Sequence, residues 1–235
     1  MNGVFHYNPG VRHQADFANA FAACGFGITT NRDEPADIHV IYGPHYCLGQ
    51  WRAHPRVLYL DRAWWGHDDT KPGDGCVSIG WLQQDGGRKF AQGSAPRPKP
   101  KMQEWRHSVG RCLILADYGQ NVSSIEAQAQ DRFYTVSIRH HPAGHKSKRT
   151  LCDDIVRHDT VICSAGSAGF EAIKLGIPVV CLDPHNPLAP VCSDSLDAPL
   201  FRGDRTQWLH DLSYSQFSLS EIADGTAWNL LKDVK

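Results

Sequence analysis

The chain has no apolar run near the roughly 20 residues that a membrane-spanning helix needs. Its longest, such as Arg111–Ala116 and Ile177–Leu182, fall far short of that. It opens on polar Asn2, His6 and Asn8 rather than on a basic and then apolar leader, so no secretory segment is expected and a cytoplasmic location is the reading. Excess charge is missing too: 24 Lys and Arg stand against 25 Asp and Glu, which argues against a general polyanion binder but leaves room for a local basic patch. None of the 8 cysteines forms a Cys-x-x-Cys pair, and Cys112, Cys163 and Cys181 lie in apolar runs. They read as free, buried thiols in a reducing compartment rather than a disulfide framework or a zinc site. A Gly-x-Gly-x-x-Gly fingerprint is absent, which counts against a nicotinamide dehydrogenase. So is Asp-x-Asp: the nearest acidic pairs, Asp68–Asp69 and Asp153–Asp154, are adjacent rather than alternating, and no metal site is expected.

What is present is an ordinary globular composition, with 41% apolar and 21% charged residues, too apolar for a disordered chain. Strand and helix signals alternate. Gly3–Tyr7 reads as a strand and Gln14–Ala23 as a helix with an apolar face of Ala15, Phe17, Ala18, Phe21 and Ala22, stopped by Gly25. Asp37–Tyr42 and Arg56–Leu60 read as further strands. The proline-bearing stretch Gly93–Lys101 excludes a regular element and reads as an extended linker. The alternation then restarts. Strands are expected at Cys112–Ala116, Phe133–Arg139, Thr160–Cys163 and Pro178–Leu182, with helices at Val122–Gln130, Lys148–Arg157 and Ser167–Leu175. Helices Arg205–Leu212 and Ser220–Leu231 close the chain. The fold class is therefore α/β, with two Rossmann-like domains facing a cleft: residues 1–104 with the linker at their end, 105–212, and a C-terminal segment 213–235.

The segment Thr160–Asp183 is the most informative. A strand runs into the small residues Ser164, Gly166, Ser167 and Ala168 and then into a helix carrying Glu171 in its first turn. Small residues let a ligand approach the backbone, a helix start offers amides to phosphate, and a carboxylate there can accept hydrogen bonds from ribose hydroxyls. The run ends in Gly176, Pro178 and Val179. This pattern resembles the donor-binding signature of glycosyltransferases of the GT-B fold, including UDP-sugar and capsule-type transferases. One strand upstream, Arg139-His140-His141-Pro142 resembles the Arg-x-His-Pro of capsule-type enzymes. The resemblance implies a nucleotide-sugar, most simply a UDP-sugar, as the dissociable donor, with no permanently bound cofactor. It implies a donor site of Ser164, Gly166, Ser167, Ala168, Glu171, Arg139 and His141, joined by Gly119 and Gln120 after the first strand of the second domain and by Asp183 after its last. Arg139 suits a diphosphate because a guanidinium donates two bonds at once.

In GT-B enzymes the first domain carries the acceptor site and the base, and the C-terminal helix returns to it. Asp61, at the end of a strand, is the first choice for the base, with His13 and His45 behind it; Arg62, Trp64 and Trp65 are expected at the acceptor. Arg88–Arg111 holds seven basic residues against Glu104, a stripe that could meet an acidic acceptor or simply be solvated. Ser78–Leu82 and the tail resemble small transferase-like proteins of bacteriophages, which points to DNA carrying hydroxymethylated pyrimidines as an acceptor. Two other readings stand beside transfer: a nucleotide-sugar epimerase or hydrolase of the same fold, and a non-catalytic nucleotide- or nucleic-acid-binding protein.

Overall fold

The computed structural model describes residues 2–8, 14–43, 51–65, 75–145, 147–164 and 166–234, so His13 and His45 lie outside the described residues. Contacts divide the chain into two units, residues 1–98 with 209–235, and residues 99–208.

The first unit opens with β1 (Gly3–His6), α1 (Gln14–Ala23), β2 (Gly27–Thr29), β3 (Ile38–Tyr42), β4 (Val57–Arg62), β5 (Cys76–Leu82) and β6 (Arg88–Lys89). The second holds β7 (Arg111–Leu115), α2 (Ser123–Gln130), β8 (Thr135–Arg139), α3 (Leu151–Ile155), β9 (Thr160–Cys163), α4 (Gly169–Lys174) and β10 (Val179–Cys181). Helix α5 (Thr206–Ser213) begins in the second unit and ends in the first, which then takes β11 (Gln216–Ser218), α6 (Leu219–Ala223) and α7 (Thr226–Leu231).

In the first unit the sheet order is β11-β5-β4-β3-β1-β2, with β6 beside β5. Strands β1 to β4 are parallel, whereas β5, β6 and β11 pair antiparallel, so this sheet is mixed rather than purely Rossmann-like. Helix α1 buries Phe17, Ala18 and Phe21 against Phe5, Ile38 and Val40, and α6 and α7 add Ile222 and Leu231 to the same core. The expected closing helix is two: Gly225, at φ +83, breaks it, and Asp224 Oδ1 accepts the Thr226 amide at 2.9 Å to start the next turn.

Beneath Trp51, His6 Nε2 and His39 Nδ1 share a hydrogen bond of 2.8 Å, and His54 meets the His39 ring edge-on at 4.0 Å. Burial, and then the neighbouring His39, push His6 down from 6.5 to about 4; burial and His54 push His39 down as well. A neutral folded-state imidazole whose unfolded counterpart titrates near 6.5 contributes stability that is complete above that pH. It is lost as pH falls toward about 4. The thermal midpoint should therefore drop between pH 7.5 and 4.5, and the drop should be shallower in His6→Phe; a midpoint flat across that range in the wild-type chain would contradict this.

The second unit is a four-stranded parallel sheet of order β10-β9-β7-β8. Its central strands are buried along nearly their whole length, as parallel strands covered on both faces are. The chain leaves β7 toward β8 and then crosses back to β9 on the other side, so the loops after β7 and β9 diverge. The open crevice at the carboxyl ends of such a switch point is where α/β sheets bind ligands. Helix α3 starts at Leu151, later than expected, because Thr150 and Asp153 form a reciprocal capping box there. The proline-bearing stretch is irregular but docked rather than simply solvated. Arg97 donates to the Ser213 and Gln216 carbonyls and pairs with Glu221 at 2.8 Å, while Gln103 and Arg106 amides bond the Lys174 and Gly176 carbonyls. Among the described residues, no helix is long and apolar enough to cross a membrane.

Candidate functional site

The loop after β7 is a tight turn. The Gln120 amide bonds the Asp117 carbonyl at 3.1 Å, and Gly119, at φ +71, supplies the left-handed third position such a turn requires. Gln120 closes the turn a second time by accepting the Asp117 amide on Oε1 at 2.9 Å. Its Nε2 then donates to Ser164 Oγ at 3.0 Å, which ties the loops after β7 and β9 together across the switch point.

Behind Ser164 the backbone is held by donors. Asn186, only 4% exposed, gives Nδ2 to the Ser164 carbonyl at 2.8 Å and to the Gly166 carbonyl at 3.5 Å, and Cys181 Sγ reaches the Ser164 carbonyl at 3.5 Å. Carbonyl oxygens that would repel a phosphate are thus already engaged within the protein. At Gly166 a methyl group would come within 3.3 Å of Asp117 Oδ1, so a carboxylate also borders this crevice, a group suited to hydroxyl donors rather than to phosphate. The seven described cysteines are free thiols; a hydrogen bond to Cys181, together with burial, pushes Cys163 up, and the same bond holds Cys181 down.

Helix α4 is short and opens tightly. The Phe170 amide bonds the Ser167 carbonyl at 3.0 Å and the Glu171 amide the Ala168 carbonyl at 3.3 Å, so these two amides are engaged within the turn and the anion-binding reach of the helix start is narrower than the sequence suggests. Glu171 stands in the first turn and pairs with Lys174 at 2.5 Å, with about a quarter of its side chain exposed. Asp183 follows β10, and its Oδ1 accepts the His185 amide at 2.9 Å.

Arg139 ends β8. Its Nη1 donates to Ser147 Oγ and to the Arg149 and Thr150 carbonyls and pairs with Asp154, so this nitrogen fixes the segment entering α3. His141 lies exposed beyond β8, its ring edge-on to Tyr118 at 5.9 Å.

In the first unit Asp61 sits near the end of β4. Its Oδ1 accepts the Arg62 amide at 2.8 Å and its Oδ2 faces Arg88 Nη1 at 3.7 Å. The Arg88 side chain is only 10% exposed; it donates to Ser78 Oγ and lies over the Tyr59, Trp64 and Phe90 rings, which holds the cation against Asp61. Trp64 is buried at 3% exposure, with its indole N–H on Ser215 Oγ at 3.0 Å, so it packs the unit rather than offering a ring to an acceptor. Trp65 is partly exposed and gives its amide to Gln216 Oε1, and Arg62 is exposed.

The structure thus brings Gly119, Gln120, Ser164 and Gly166 to one crevice, and the chain runs on from Gly166 through Ser167 and Ala168 into α4, which carries Glu171 in its first turn. Two contributors join the crevice from the loops that Asp183 and Gly119 already mark in the sequence: Asn186, whose side-chain amide is buried under the Ser164 carbonyl, and Asp117, which opens the Gly119 turn. Among the described residues no group of three or more His, Cys, Asp or Glu could hold a metal ion.

No protein-family model matches the chain, and no curated protein does. Among solved structures, the chain is similar to the beta Kdo 2,7 transferase of KpsC from Thermosulfurimonas dismutans, at 12% identity over 99% of both chains with a TM-score of 0.55. It also matches the beta Kdo 2,4 transferase of that organism's KpsC, at 10% identity over 76% of this chain and 79% of that one, with a TM-score of 0.43. The first of these likenesses is one of fold: the chain shares the mixed α/β architecture, with parallel sheets, of that structure.

Proposed function

We propose that the chain is a GT-B-type glycosyltransferase that moves a sugar from a nucleotide-activated donor to a hydroxyl acceptor. The observation that carries this reading is the Gln120–Ser164 hydrogen bond. It fixes the loops after β7 and β9 as one rigid rim at the switch point, bordered by the Asp117 carboxylate. Such a rim offers backbone amides to a phosphate and a carboxylate to sugar or ribose hydroxyls. The full-length fold likeness to a Kdo transferase supports the same reading.

In this account the backbone around Gly166 to Gly169 and the Arg139 guanidinium counter the charge of the leaving nucleotide, with no divalent cation required. Glu171 holds ribose hydroxyls, and Asp61, fixed by Arg88, takes the acceptor proton. One acceptor O–H bond breaks to Asp61, the acceptor oxygen bonds the anomeric carbon, and the bond from that carbon to the phosphate oxygen breaks. The donor is a UDP-sugar or an activated Kdo, and the acceptor is a glycan hydroxyl or a hydroxymethylated pyrimidine in DNA.

Incubating the full chain with UDP-, GDP-, ADP- and CMP-activated sugars, with and without these acceptors, should give release of the nucleotide and a glycosylated acceptor with one pair. Asp61→Asn should lose about 100-fold or more of that rate with substrate binding retained. Epimerised sugar without an acceptor would support the epimerase reading instead, and binding without turnover would leave a nucleotide-binding protein.

A further inference from the structure

Tyr118 is exposed to 73%, unusually open for a large ring in a turn that is hydrogen-bonded at both ends. The Asp117–Gln120 turn holds it out: a side-chain carbon added at Gly119, where φ is +71, would meet nothing within 4 Å, so the tip is free of packing that would fold the ring down. His141, from the loop after β8, meets the ring at 5.9 Å and 79°, an edge-to-face contact that steadies it and leaves most of the phenol uncovered. Gly144 lies alongside, 4.0 Å from Tyr118 Cε2 at its nearest would-be side-chain atom. The pair stands at the carboxyl ends of β7 and β8, beside the Gln120–Ser164 rim. Tyr134, 97% exposed, precedes β8 at the opposite end of that strand, against Gly110.

We infer that Tyr118 and His141 form the platform on which the base of the donor nucleotide stacks. The inference rests on the donor-site reading above. Its geometric support is the strand order: the loop after β8 lies two strand spacings, roughly 10 Å, from the loop after β9, about the reach from a nucleobase to its diphosphate. With the phosphates at the backbone of Gly166 to Gly169, the base falls on the β7–β8 side, where an exposed π-face and an imidazole await it. Stacking of this kind tolerates different bases, so the platform sets affinity for a nucleoside while the neighbouring polar groups choose among them.

The test measures binding of UDP, CMP and inorganic pyrophosphate to the full chain by calorimetry, in wild type, Tyr118→Ala, Tyr118→Phe and His141→Ala. A stacking contribution on the usual scale corresponds to roughly a 10- to 100-fold weaker nucleotide affinity in Tyr118→Ala. Tyr118→Phe should bind as wild type, His141→Ala should fall between, and pyrophosphate affinity should be the same in all four. Because the ring is exposed, thermal midpoints should stay together. Nucleotide affinity undiminished in Tyr118→Ala, with wild type binding well, overturns the platform alone. Wild type binding neither nucleotides nor pyrophosphate overturns the donor-site reading, and the platform with it.

Discussion

Gly176→Ala is expected to unfold or severely loosen the second unit. The residue ends α4 at φ +72 in a Schellman arrangement, with the Ile177 amide on the Ala172 carbonyl at 2.9 Å and the Gly176 amide on the Ile173 carbonyl at 3.1 Å. A side chain there meets the Glu104 carbonyl oxygen head-on, with the carbonyl carbon at 2.8 Å. That backbone cannot retreat cheaply. The Arg106 amide holds the Gly176 carbonyl at 2.6 Å, Gln103 bonds Lys174, and buried Arg205 donates to the Ile173 and Gln103 carbonyls while stacking on Trp105 at 3.9 Å. The left-handed conformation alone costs an L-residue about 1–2 kcal/mol. Backbone overlap should bring the total to roughly 3 kcal/mol or more, a fall in Tm of roughly 10 °C or greater. Gly119→Ala is the control: its φ of +71 is equivalent, but open space surrounds it. Thermal melts that fall equally in both variants would show that the clash with Glu104 is not the cause.

Glu171→Gln should have the opposite profile, large in activity and small in stability. Its only described partner is Lys174 at 2.5 Å, and both side chains are about a quarter exposed. An exposed pair three residues apart on a helix contributes a few tenths of a kcal/mol, so Tm should move by no more than a degree or two. If the carboxylate accepts ribose hydroxyls, losing its charge removes hydrogen bonds worth about 1.5–3 kcal/mol, roughly 10- to 100-fold in kcat/KM, and felt mainly in the donor KM. Unchanged kinetics on the productive donor would remove Glu171 from the site.

The second unit is the more legible half of the sequence. Strands β7, β8, β9 and β10 and the helices between them fall close to where apolar runs and turn residues place them, because a parallel sheet covered on both faces is written in continuous Val, Ile, Leu and Cys. In the first unit α1 is equally plain, but β2, β6 and β11 hold two or three residues each, too short to carry an alternation. Strand β5 is interrupted by Ser78 and Gly80, the latter flat against Phe90. The basic stripe is legible as charge but not as contact. Arg88 lies over the distant Tyr59 and Trp64 rings, Arg97 holds Glu221, Arg106 reaches the Val156 carbonyl and Arg111 pairs with Asp159, all long-range partners. The site shows the same division. Gly119, Gln120, Ser164 and Gly166 stand out as small or polar residues at strand ends, whereas the Asn186 and Cys181 donors under the Ser164 carbonyl depend on how the chain folds back. Gly176 reads as part of a donor signature, and its described role is to let segment 103–106 lie against the end of α4.

The central claim is that the rim joining the β7 and β9 loops receives the phosphates of an activated sugar. A crystal structure of the full chain soaked with UDP or CMP tests it most directly. Density for the phosphates within hydrogen-bond reach of the backbone at Gly166 to Gly169, with the Gln120–Ser164 bond intact, is the expected result. Phosphate density confined to the first unit, or an empty rim in crystals whose soaked nucleotide binds in solution, would contradict it.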